Sequence, residues 1–518
     1  MTKDYTSASE KILIDGEHLT LEQVRAVARE MVPTELHAAG RSRLHQSREI
    51  VEGIIEQERV VYGVTTGFGC FSDVLISRKD SDTLQKNIIM SHACGVGAPL
   101  PREVVRAMML LRANSLAKGY SGVRIALVEL LLEMLNRGIH PLVPSRGSVG
   151  ASGDLIPLAH IALAMIGLGE VEYRGQVVPS EKAFSRAGLR PLQLSAKEGL
   201  ALINGTQYMS ALGTLALLDA VELFKAASIA AAMTFEALQG IAAAFSAQVH
   251  RVRPHSGQKY CAALMLKLLQ GSELLERQKQ DRVQDAYTLR CIPQVHGATL
   301  EALKYIRGVL ETEINSATDN PLIFPESGAV ISCGNFHGQP LALALDFMAL
   351  AVNELGNISE RRIERLVNPA LNNGLPAFLT ENGGLNSGLM LLQYTAAALV
   401  SEGKVLAHPA SVDSIPTSGN QEDHVSMGSV AAYKGRQVVE NIAWVISAEL
   451  LAAARAMRFI AHRPGRSTAA VFKLICEELP QGDGDRILYK DLQNIHRLWC
   501  SGRMCRIVEE TVGELSLL

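Results

Sequence analysis

The segment PSRGSVGASGDLIPLAH at residues 144–160 sets closely spaced small residues beside a serine and an aspartate. The spacing of Gly147, Gly150 and Gly153 resembles that of a phosphate-binding loop. However, no Lys-Ser/Thr pair follows, and the carboxylate of Asp154 would repel a phosphate. An ordinary loop between helices is the default interpretation of such a stretch, and any special chemistry must come from elsewhere in it.

The tripeptide Ala151-Ser152-Gly153 offers such chemistry. If the Gly153 nitrogen attacks the carbonyl carbon of Ala151 and water is lost, a five-membered imidazolone forms. Loss of the Ser152 hydroxyl then leaves an exocyclic methylidene group, which is a strong electrophile. Glycine allows the close backbone approach that this ring needs, and a small alanine avoids a clash in a strained turn. The spacing permits the ring without requiring it.

The composition of the chain disfavours several other function classes. The 518 residues have a formal net charge of -3 and no long run of Lys or Arg, which is unlike a nucleic-acid-binding protein. The eight cysteines include no C-x-x-C pair, so reduced thiols in a cytoplasmic protein are expected rather than a disulfide framework or a metal site. The first 20 residues contain no apolar segment of the secretory type.

The elements that must position this loop are predicted to be mainly helical. Aromatic residues make up only 5% of the chain, and strong helix formers dominate the apolar residues. Residues 206–253 contain no proline and predict a helix roughly 70 Å long, possibly bent near Gly240. Segments 341–366, 387–406 and 430–458 are similar, which predicts a helical bundle extended by oligomerisation. A membrane-spanning interpretation is disfavoured by the mean hydropathy of +0.13.

The predicted fold class is mainly α, with three consecutive domains. Residues 1–205 form a mostly helical N-terminal domain with small β hairpins that carries the 144–160 loop. Residues 206–480 form the long central bundle, and 481–518 form a helical tail that packs on it. In the first domain, a buried helix is expected over 121–137, capped by Ser121 and stopped by Gly138, and a hairpin over VEYRGQVV (171–178).

The sequence GSVGASGDLIPLAH resembles the signature of the aromatic amino-acid ammonia-lyase and aminomutase family. The prosthetic group of that family is 4-methylidene-imidazol-5-one (MIO). The resemblance implies that MIO forms autocatalytically from Ala151, Ser152 and Gly153 and that no external cofactor or metal is needed. Further matches follow in family order along nearly the whole chain: VYGVTTGFG (61–69), SHACGVG (91–97), INGTQ (203–207), VQDAYTLRC (283–291), TDNPL (318–322), GNFHG (334–338) and NQEDHVSM (420–427).

The resemblance also implies roles for aromatic and charged residues. Tyr62 precedes a glycine-rich loop and matches the catalytic tyrosine, which acts as a base. Arg290 lies three residues after Tyr287, so on a helix both point to one face, and its guanidinium could hold a substrate carboxylate at two points. Tyr287 matches a second active-site tyrosine. Without the resemblance, packing residues and a surface ion pair would be the simpler interpretations.

Three further residues would be ordinary without the resemblance. Asn204 and Gln284 would be polar turn or helix residues, and Phe336 would be a core residue. The resemblance places Asn204 and Gln284 around the imidazolone and the substrate, where they bind, and it places Phe336 beside the prosthetic group.

Two residues favour histidine as the substrate. His92-Ala93 is similar to the members of the family that act on histidine, and the imidazole of His92 could hydrogen-bond a ring nitrogen. Glu422 stands where phenylalanine and tyrosine enzymes usually have glutamine, and a carboxylate suits a basic imidazole or an ammonium group. Glu422 is therefore expected to act as a catalytic base or as a binder. The implied reaction converts L-histidine to trans-urocanate and ammonia, the first step of histidine degradation.

Other functions remain open at this point. A tyrosine ammonia-lyase or an aromatic amino-acid aminomutase is the nearest alternative. A non-catalytic helical scaffold is a more distant one, although such a protein would be expected to have lost Ser152 or Tyr62. The resemblance implies a cytoplasmic homotetramer that binds neither nucleic acid nor membrane. It also implies that Tyr62 with Asn204, Tyr287 with Arg290, and Glu422 come from different subunits of a shared active site.

Overall fold

A computed structural model describes residues 11–276, 282–480, 482 and 484–515 of the chain. These residues are mainly helical with a few short strands, which confirms the predicted fold class. The helices are α1 (Leu21–Arg29), α2 (Ala38–Glu56), α3 (Ser81–His92), α4 (Arg102–Ala117), α5 (Ile125–Asn136), α6 (Leu155–Met165), α7 (Ser180–Ala187), α8 (Glu198–Ile203), α9 (Gln207–Ala237), α10 (Ala247–Arg251), α11 (Ser256–Leu268), α12 (Tyr287–Arg290), α13 (Ile292–Glu313), α14 (Gln339–Val367), α15 (Met390–Leu406), α16 (Gly428–Ala456), α17 (Arg466–Glu478), α18 (Leu488–Cys500) and α19 (Arg503–Val512).

The chain divides into two compact units that are each built from separate segments. The first unit comprises Met1–Leu215, Arg307–Asp346 and Pro409–Tyr433. The second unit is formed by the rest of the chain: Ala216–Ile306, Phe347–His408 and Lys434–Leu518. The domain boundaries after residues 205 and 480 stay predictions.

All the strands in the described part of the chain belong to the first unit, where they form four small sheets. β1 pairs with β2 in parallel, whereas β3–β5, β4–β6–β7 and β8–β9 are antiparallel. The strands are β1 (Ile12–Ile14), β2 (Thr34–Leu36), β3 (Val96–Pro99), β4 (Ile139–Pro141), β5 (Pro144–Arg146), β6 (Glu170–Tyr173), β7 (Gln176–Pro179), β8 (Leu322–Phe324) and β9 (Ala329–Ile331).

The hairpin predicted over residues 171–178 is present as β6 and β7. Arg174 and Gly175 form its turn with φ values of 53° and 75°, as a two-residue hairpin loop requires. The hairpin is not isolated, because β6 also pairs with β4 and makes a three-stranded sheet.

The helix expected over residues 121–137 begins later than predicted. α5 starts at Ile125 with Arg124 at its N-cap, so the cap assigned to Ser121 is wrong. The reason lies at Gly122, which has a φ of +68°. Gly122 packs so closely against Ile323 that a Cβ added at Gly122 would lie 2.4 Å from the Ile323 side chain. A left-handed residue in tight contact interrupts the helical path.

The long helices of the second unit form the predicted bundle. Glu449 of α16 accepts hydrogen bonds from Thr234 of α9 at 2.8 Å and from Ser359 of α14 at 2.6 Å. It is also paired with Arg362 of α14 at 2.8 Å, and neither side chain of this ion pair is exposed. Such a buried charge is tolerated because it is paired and hydrogen-bonded. These contacts join three long helices through their interior faces.

The helix predicted over residues 206–253 is wrong in length. α9 ends at Ala237, and Gln239 then adopts a φ of +52°. Asp285 accepts a hydrogen bond from the backbone of Ile241 at 2.6 Å, and Arg282 donates to the carbonyl of Gln239 at 2.9 Å. These side chains satisfy backbone groups that a continuing helix would have paired, so the chain turns here instead of bending.

The predicted tail, residues 481–518, contains α18 and α19, and α19 ends at Val512. Residues 481, 483 and 516–518 of this tail lie outside the described residues. Two helices of the described chain, Gln339–Val367 and Gly428–Phe459, are long and apolar enough to cross a membrane by length and composition alone. In their apolar windows, 67% and 78% of the residues are buried, as in the core helices of a globular protein.

Candidate active site

The loop that carries Ala151, Ser152 and Gly153 lies between β5 and α6. β5 pairs with β3, which follows α3 by only three residues, so this pairing brings the end of α3 beside the loop. Gly95 lies in that connection, and a Cβ there would meet the side chains of Pro144 and Ile156 at 3.2 Å. The small sheet therefore fixes His92, the last residue of α3, relative to the loop.

Gly153 packs directly against the backbone that follows Asn204. Its φ is +74°, and a Cβ would lie 2.2 Å from the carbonyl oxygen of Gly205. The backbone N–H of Asp154 donates to the same oxygen at 2.6 Å. Only glycine fits this combination of left-handed backbone and close approach, so the residue type that cyclisation needs is also the one that the packing needs.

Asp154 holds the loop onto the start of α9. Its side chain is fully buried, and Oδ2 accepts hydrogen bonds from the backbone N–H groups of Tyr208 and Met209, both at 3.0 Å. The Ser429 hydroxyl donates to Oδ1 at 2.8 Å. Burial raises the pKa of Asp154 to about 7, although each of these hydrogen bonds lowers it. The free N–H groups of a helix N-terminus are favourable partners for a carboxylate.

The segment after Glu422 packs against the other side of the loop. Met427 donates its backbone N–H to the carbonyl of Val149 at 2.9 Å. The hydroxyl of Ser426 donates to the carbonyl of Gly150 at 3.1 Å. Val425 and Met427 also form a small apolar cluster with Ala151. The two segments are thus held together within one chain.

This packing brings the side chains of Ser152 and Glu422 into contact. The Ser152 hydroxyl donates to Oε1 of Glu422 at 2.8 Å, and the hydroxyl of Thr417 donates to Oε2 at 2.6 Å. Both carboxylate oxygens therefore have a partner, and one of them faces the residue predicted to become the electrophile.

A cavity of 930 Å³ opens in the first unit over this contact. Six of the residues singled out from the sequence line it: Tyr62, His92, Ser152, Asn204, Phe336 and Glu422. The structure therefore brings these six side chains together in a single chain. The cavity has room for an amino acid the size of histidine.

Tyr62 lies on the wall formed by the 60–76 loop. The backbone N–H of Gly69 donates to its phenol oxygen at 3.4 Å. Burial is the largest influence on Tyr62 and raises its pKa, the Gly69 hydrogen bond lowers it, and the carboxylates of Glu422 and Asp319 raise it further. The phenolate therefore becomes more abundant as pH rises.

His92 is half-buried at the end of α3, with Nδ1 lying 3.1 Å from the hydroxyl of Ser91. Burial lowers the pKa of His92, and this outweighs the opposing effects of the backbone of Ile88 and the charge of Glu422. Its imidazole is therefore neutral at neutral pH and can donate one hydrogen bond and accept another.

Asn204 lines the cavity and has a buried acceptor without a partner. It is 2% exposed, and its Oδ1 has no hydrogen-bond partner, while its Nδ2 donates to the carbonyl of Asn320 at 3.4 Å. A buried acceptor without a partner is costly unless a ligand or water satisfies it. Asn320 and Cys333 also line the cavity. Neither was singled out from the sequence, although Asn320 lies within the TDNPL match, which was the available signal.

The remaining predicted residues, Gln284, Tyr287 and Arg290, belong to the second unit and do not line this cavity. Tyr287 is 70% exposed, and the guanidinium of Arg290 lies over its ring at 4.7 Å from the ring centre. This confirms that Tyr287 and Arg290 share one face of α12. The buried Nε of Arg290 has no hydrogen-bond partner.

The expectation that Glu422 and Tyr62 come from different subunits is wrong. Both side chains line the same cavity in one chain, because the segment of Glu422 packs on the Ser152 loop through backbone hydrogen bonds.

Comparisons with known proteins agree on the family. Residues 19–477 match the family described as aromatic amino acid lyase. The histidine ammonia-lyase of Caldanaerobacter subterraneus subsp. tengcongensis is 56% identical over 501 residues, covering 96% of this chain and 98% of the relative.

Solved structures give the same result for the fold. The crystal structure of histidine ammonia-lyase from Trypanosoma cruzi has a TM-score of 0.91 and 42% identity, and covers 98% of this chain and 96% of that chain. A tyrosine aminomutase from Streptomyces globisporus has a TM-score of 0.93 and 38% identity, with 98% of this chain and 100% of that chain covered. The likeness thus extends over sequence, fold and nearly the full length, and the chain belongs to the aromatic amino acid lyase family.

Proposed function

We propose that the protein eliminates ammonia from L-histidine to give trans-urocanate, in the cytoplasm. The observation that carries this proposal is the cavity in which the 151–153 loop faces Tyr62, His92, Asn204 and Glu422. The high identity to relatives named histidine ammonia-lyase supports histidine as the substrate.

The residues of the loop fit the MIO group on which this family depends. Gly153 packs so tightly that no side chain fits there, since a Cβ at this position would lie 2.2 Å from the carbonyl oxygen of Gly205. Asn204 lines the same cavity, and its buried Oδ1 has no hydrogen-bond partner. We propose that Ala151, Ser152 and Gly153 form the group without an external cofactor. MIO supplies an electrophilic methylidene carbon, which makes the amine of the substrate a better leaving group.

In this proposal Tyr62 removes a proton from the β-carbon of the substrate. A buried phenol is a weak base until it loses its own proton, so kcat/KM for L-histidine should rise with pH as the phenolate forms. The N–H of Gly69 stabilises that phenolate oxygen. Asn204 accepts a hydrogen bond from the substrate amine at Oδ1 and so holds the leaving group in place.

His92 and Glu422 are proposed to orient the imidazole of the substrate. The neutral ring of His92 can accept from or donate to one ring nitrogen, and the Glu422 carboxylate can accept a hydrogen bond from the other. Phe336 provides an aromatic wall of the cavity. The phenyl ring of phenylalanine would leave the imidazole of His92 and the carboxylate of Glu422 without hydrogen-bond partners. This loss of binding energy disfavours phenylalanine as a substrate.

We further propose that a neighbouring subunit completes the site with Gln284, Tyr287 and Arg290. Arg290 has an unpaired buried Nε, and its guanidinium stacks on the ring of Tyr287. We propose that this guanidinium donates two hydrogen bonds to the substrate carboxylate. Exposed apolar side chains such as Phe347 and Leu350 on α14 support oligomerisation, and the assembly proposed is a homotetramer.

Product analysis tests the proposal. The purified enzyme incubated with L-histidine should release ammonia and one product whose mass is that of histidine less ammonia, in equal amounts. The intact protein should be lighter than its encoded mass by two waters. Absence of ammonia release by a protein that carries the modification would reject histidine elimination.

The likeness to a tyrosine aminomutase supports one second candidate, an aminomutase acting on an aromatic amino acid. Such an enzyme returns the amine to the β-carbon. A β-amino acid product from L-tyrosine or L-histidine, with little free ammonia, would favour this candidate over elimination.

A further inference from the structure

Three consecutive residues at the start of α8 each make a buried polar contact with a different segment of the first unit. Lys197 pairs with Asp319, Glu198 pairs with Arg124, and the backbone N–H of Gly199 donates to the side chain of Gln85 at 2.7 Å. α8 ends at Ile203, directly before Asn204, which lines the cavity.

The pair formed by Lys197 and Asp319 is the most deeply buried of these contacts. Nζ of Lys197 donates to Oδ2 of Asp319 at 2.7 Å, and neither side chain has any exposure. Lys197 also has a φ of +74°, which is uncommon for a residue with a side chain. A desolvated ion pair on a left-handed residue contributes little to stability by itself, which suggests that it is retained for another purpose.

The pair joins the two segments that carry Asn204 and Asn320. Oδ1 of Asp319 accepts the backbone N–H of Asn320 at 2.7 Å, and the carbonyl of Asn320 accepts from Nδ2 of Asn204 at 3.4 Å. The carbonyl of Asn204 is held by Arg112 at 3.0 Å. With its amide nitrogen and carbonyl both engaged, Asn204 keeps Oδ1 unpaired at the cavity.

The same two segments support the base. Gly63 follows Tyr62, and a Cβ at Gly63 would lie 2.7 Å from Leu200 of α8 and 3.2 Å from Pro321. The backbone next to Tyr62 thus rests on residues that flank both partners of the ion pair. A change in the spacing of Lys197 and Asp319 would move Tyr62 and Asn204 together.

We propose that Lys197 and Asp319 are a positioning pair for the elimination. The pair fixes the position of the Asn204 side-chain oxygen relative to the phenol of Tyr62, and its net charge influences how readily Tyr62 loses its proton. This inference rests on the proposed function, because it assigns the pair to the same reaction. Neither residue touches the substrate in this account.

The charge of Asp319 gives the proposal a directional test. Its carboxylate is one of the causes that raise the pKa of Tyr62. A positive charge on its partner Lys197 would act in the opposite direction. The charged and titratable groups that line the cavity with Tyr62 are Cys70, Asp73, His92, Cys333 and Glu422, and Asp319, which is paired with Lys197, also acts on its pKa. Neutralising Asp319 alone therefore favours the phenolate, and the pH at which kcat/KM reaches its alkaline plateau should fall.

The experiment compares two variants with a matched control. Asp319→Asn removes one charge, and Lys197→Met with Asp319→Asn removes the pair without leaving an unpaired buried charge. The control is Arg124→Gln with Glu198→Gln, which neutralises another ion pair at the same helix start whose Glu198 is fully buried. Steady-state kinetics with L-histidine across pH give kcat, KM and the pH profile, and thermal unfolding reports stability.

The proposal expects kcat of both test variants to fall about tenfold or more, with a smaller change in KM, because the amine and the base are misaligned. The pH at which kcat/KM reaches its alkaline plateau should fall in both variants, and it should fall further in Asp319→Asn than in the double variant. The control should lose thermal stability while its kcat and profile stay within about twofold of the unmodified enzyme.

Test variants that match the control in kcat and pH profile, differing only in stability, would overturn the inference. If Asp319→Asn does not fold, the double variant alone decides between these outcomes. An unmodified enzyme that is inactive on L-histidine would instead reject the proposed function, so the two failures are distinguishable.

Discussion

The hydrogen bond between Ser152 and Glu422 places a carboxyl group beside the hydroxyl that would leave as water in the proposed formation of MIO. The bond is 2.8 Å long, and Thr417 holds the other carboxylate oxygen. The oxygen can depart as water only if it gains a proton, and the carboxyl group of Glu422 lies in hydrogen-bond contact with it and would face the substrate ring afterwards. We propose that the negative charge of Glu422 serves histidine recognition, since glutamine lacks the charge that suits a basic imidazole.

Replacing His92 should change which amino acid is preferred. In His92→Phe, the apolar ring should raise kcat/KM for L-phenylalanine relative to L-histidine by about tenfold or more, because the imidazole of histidine loses a buried polar partner. The ratio of the two specificity constants is the measurement. His92→Gln is the control, since it keeps hydrogen-bonding groups and should retain the preference for L-histidine. Unchanged preference in His92→Phe would make His92 a structural residue.

At the residue scale, the sequence identified the site residues that lie within matched motifs, but it did not identify an ion pair between residues distant along the chain. Tyr62, Asn204 and Glu422 were identified because each lies in a matched segment, and the cavity brings them together. Lys197 and Asp319 were not singled out, since nothing in the sequence indicates that positions 122 apart form an ion pair. Pairings between distant segments depend on tertiary packing, which local patterns do not encode.

At the element scale, the loop of Ser152 is held by its neighbours on both sides. The carbonyl oxygen of Gly205 lies against one side, and the segment of Met427 lies against the other. Asp154 ties its end to the N-terminus of α9. A loop that must bring its own backbone atoms together benefits from such external restraint, because the restraint removes extended conformations from competition.

Gly153→Ala should disrupt this loop. The left-handed backbone alone would cost about 1–2 kcal/mol, and contact with the Gly205 oxygen adds to that cost. Loss of the two-water mass change, of activity and of thermal stability is expected. Gly175→Ala is a matched control, because its φ of +75° is the same but nothing lies within 4 Å of the added Cβ. If both variants keep the mass change, the close approach at Gly153 is not needed for maturation.

Asp154 should make stability depend on pH. Its pKa is raised from 3.8 to about 7 in the folded state, so the native protein holds this proton more tightly than the unfolded chain. The corresponding stability is present at low pH and is lost as pH rises through the folded pKa.

The melting temperature should therefore fall between about pH 4 and pH 7 more steeply for the unmodified protein than for Asp154→Asn, which lacks the titration. Asp82→Asn, at an exposed position of α3, serves as the control and should parallel the unmodified protein. Parallel curves for all three proteins would contradict the assignment.

The lengths of elements were harder to predict than their type. The composition predicted helices correctly, yet α9 ends at Ala237 because Asp285 and Arg282 bind the backbone beyond it. α5 likewise begins at Ile125 because Gly122 packs tightly against Ile323. Both ends are set by contacts with residues distant in sequence, which override local propensity.

At the scale of the whole molecule, we propose that the site combines residues from more than one chain. The cavity supplies Tyr62 and Ser152, whereas Tyr287 and Arg290 lie in the other compact unit and do not line it. Shared sites predict complementation between inactive chains.

Co-expression of Tyr62→Phe chains with Arg290→Ala chains should restore activity, with about a quarter of the sites intact if subunits mix at random. Tyr62→Phe mixed with Glu422→Ala provides the control. Because Tyr62 and Glu422 line the same cavity of one chain, that mixture should recover nothing. Equal recovery in both mixtures, or none in confirmed mixed oligomers, would argue against the proposed division of the site.

The most direct test of the central claim is to measure kcat/KM of the purified enzyme for L-histidine, L-tyrosine and L-phenylalanine side by side. Products are identified by mass, and Ser152→Ala serves as the blank. L-Histidine should have the highest value by about a hundredfold, with ammonia and trans-urocanate formed in equal amounts. Ser152→Ala should lose one water fewer in mass and nearly all activity. A higher value for L-tyrosine, a β-amino acid product, or full activity in Ser152→Ala would contradict it.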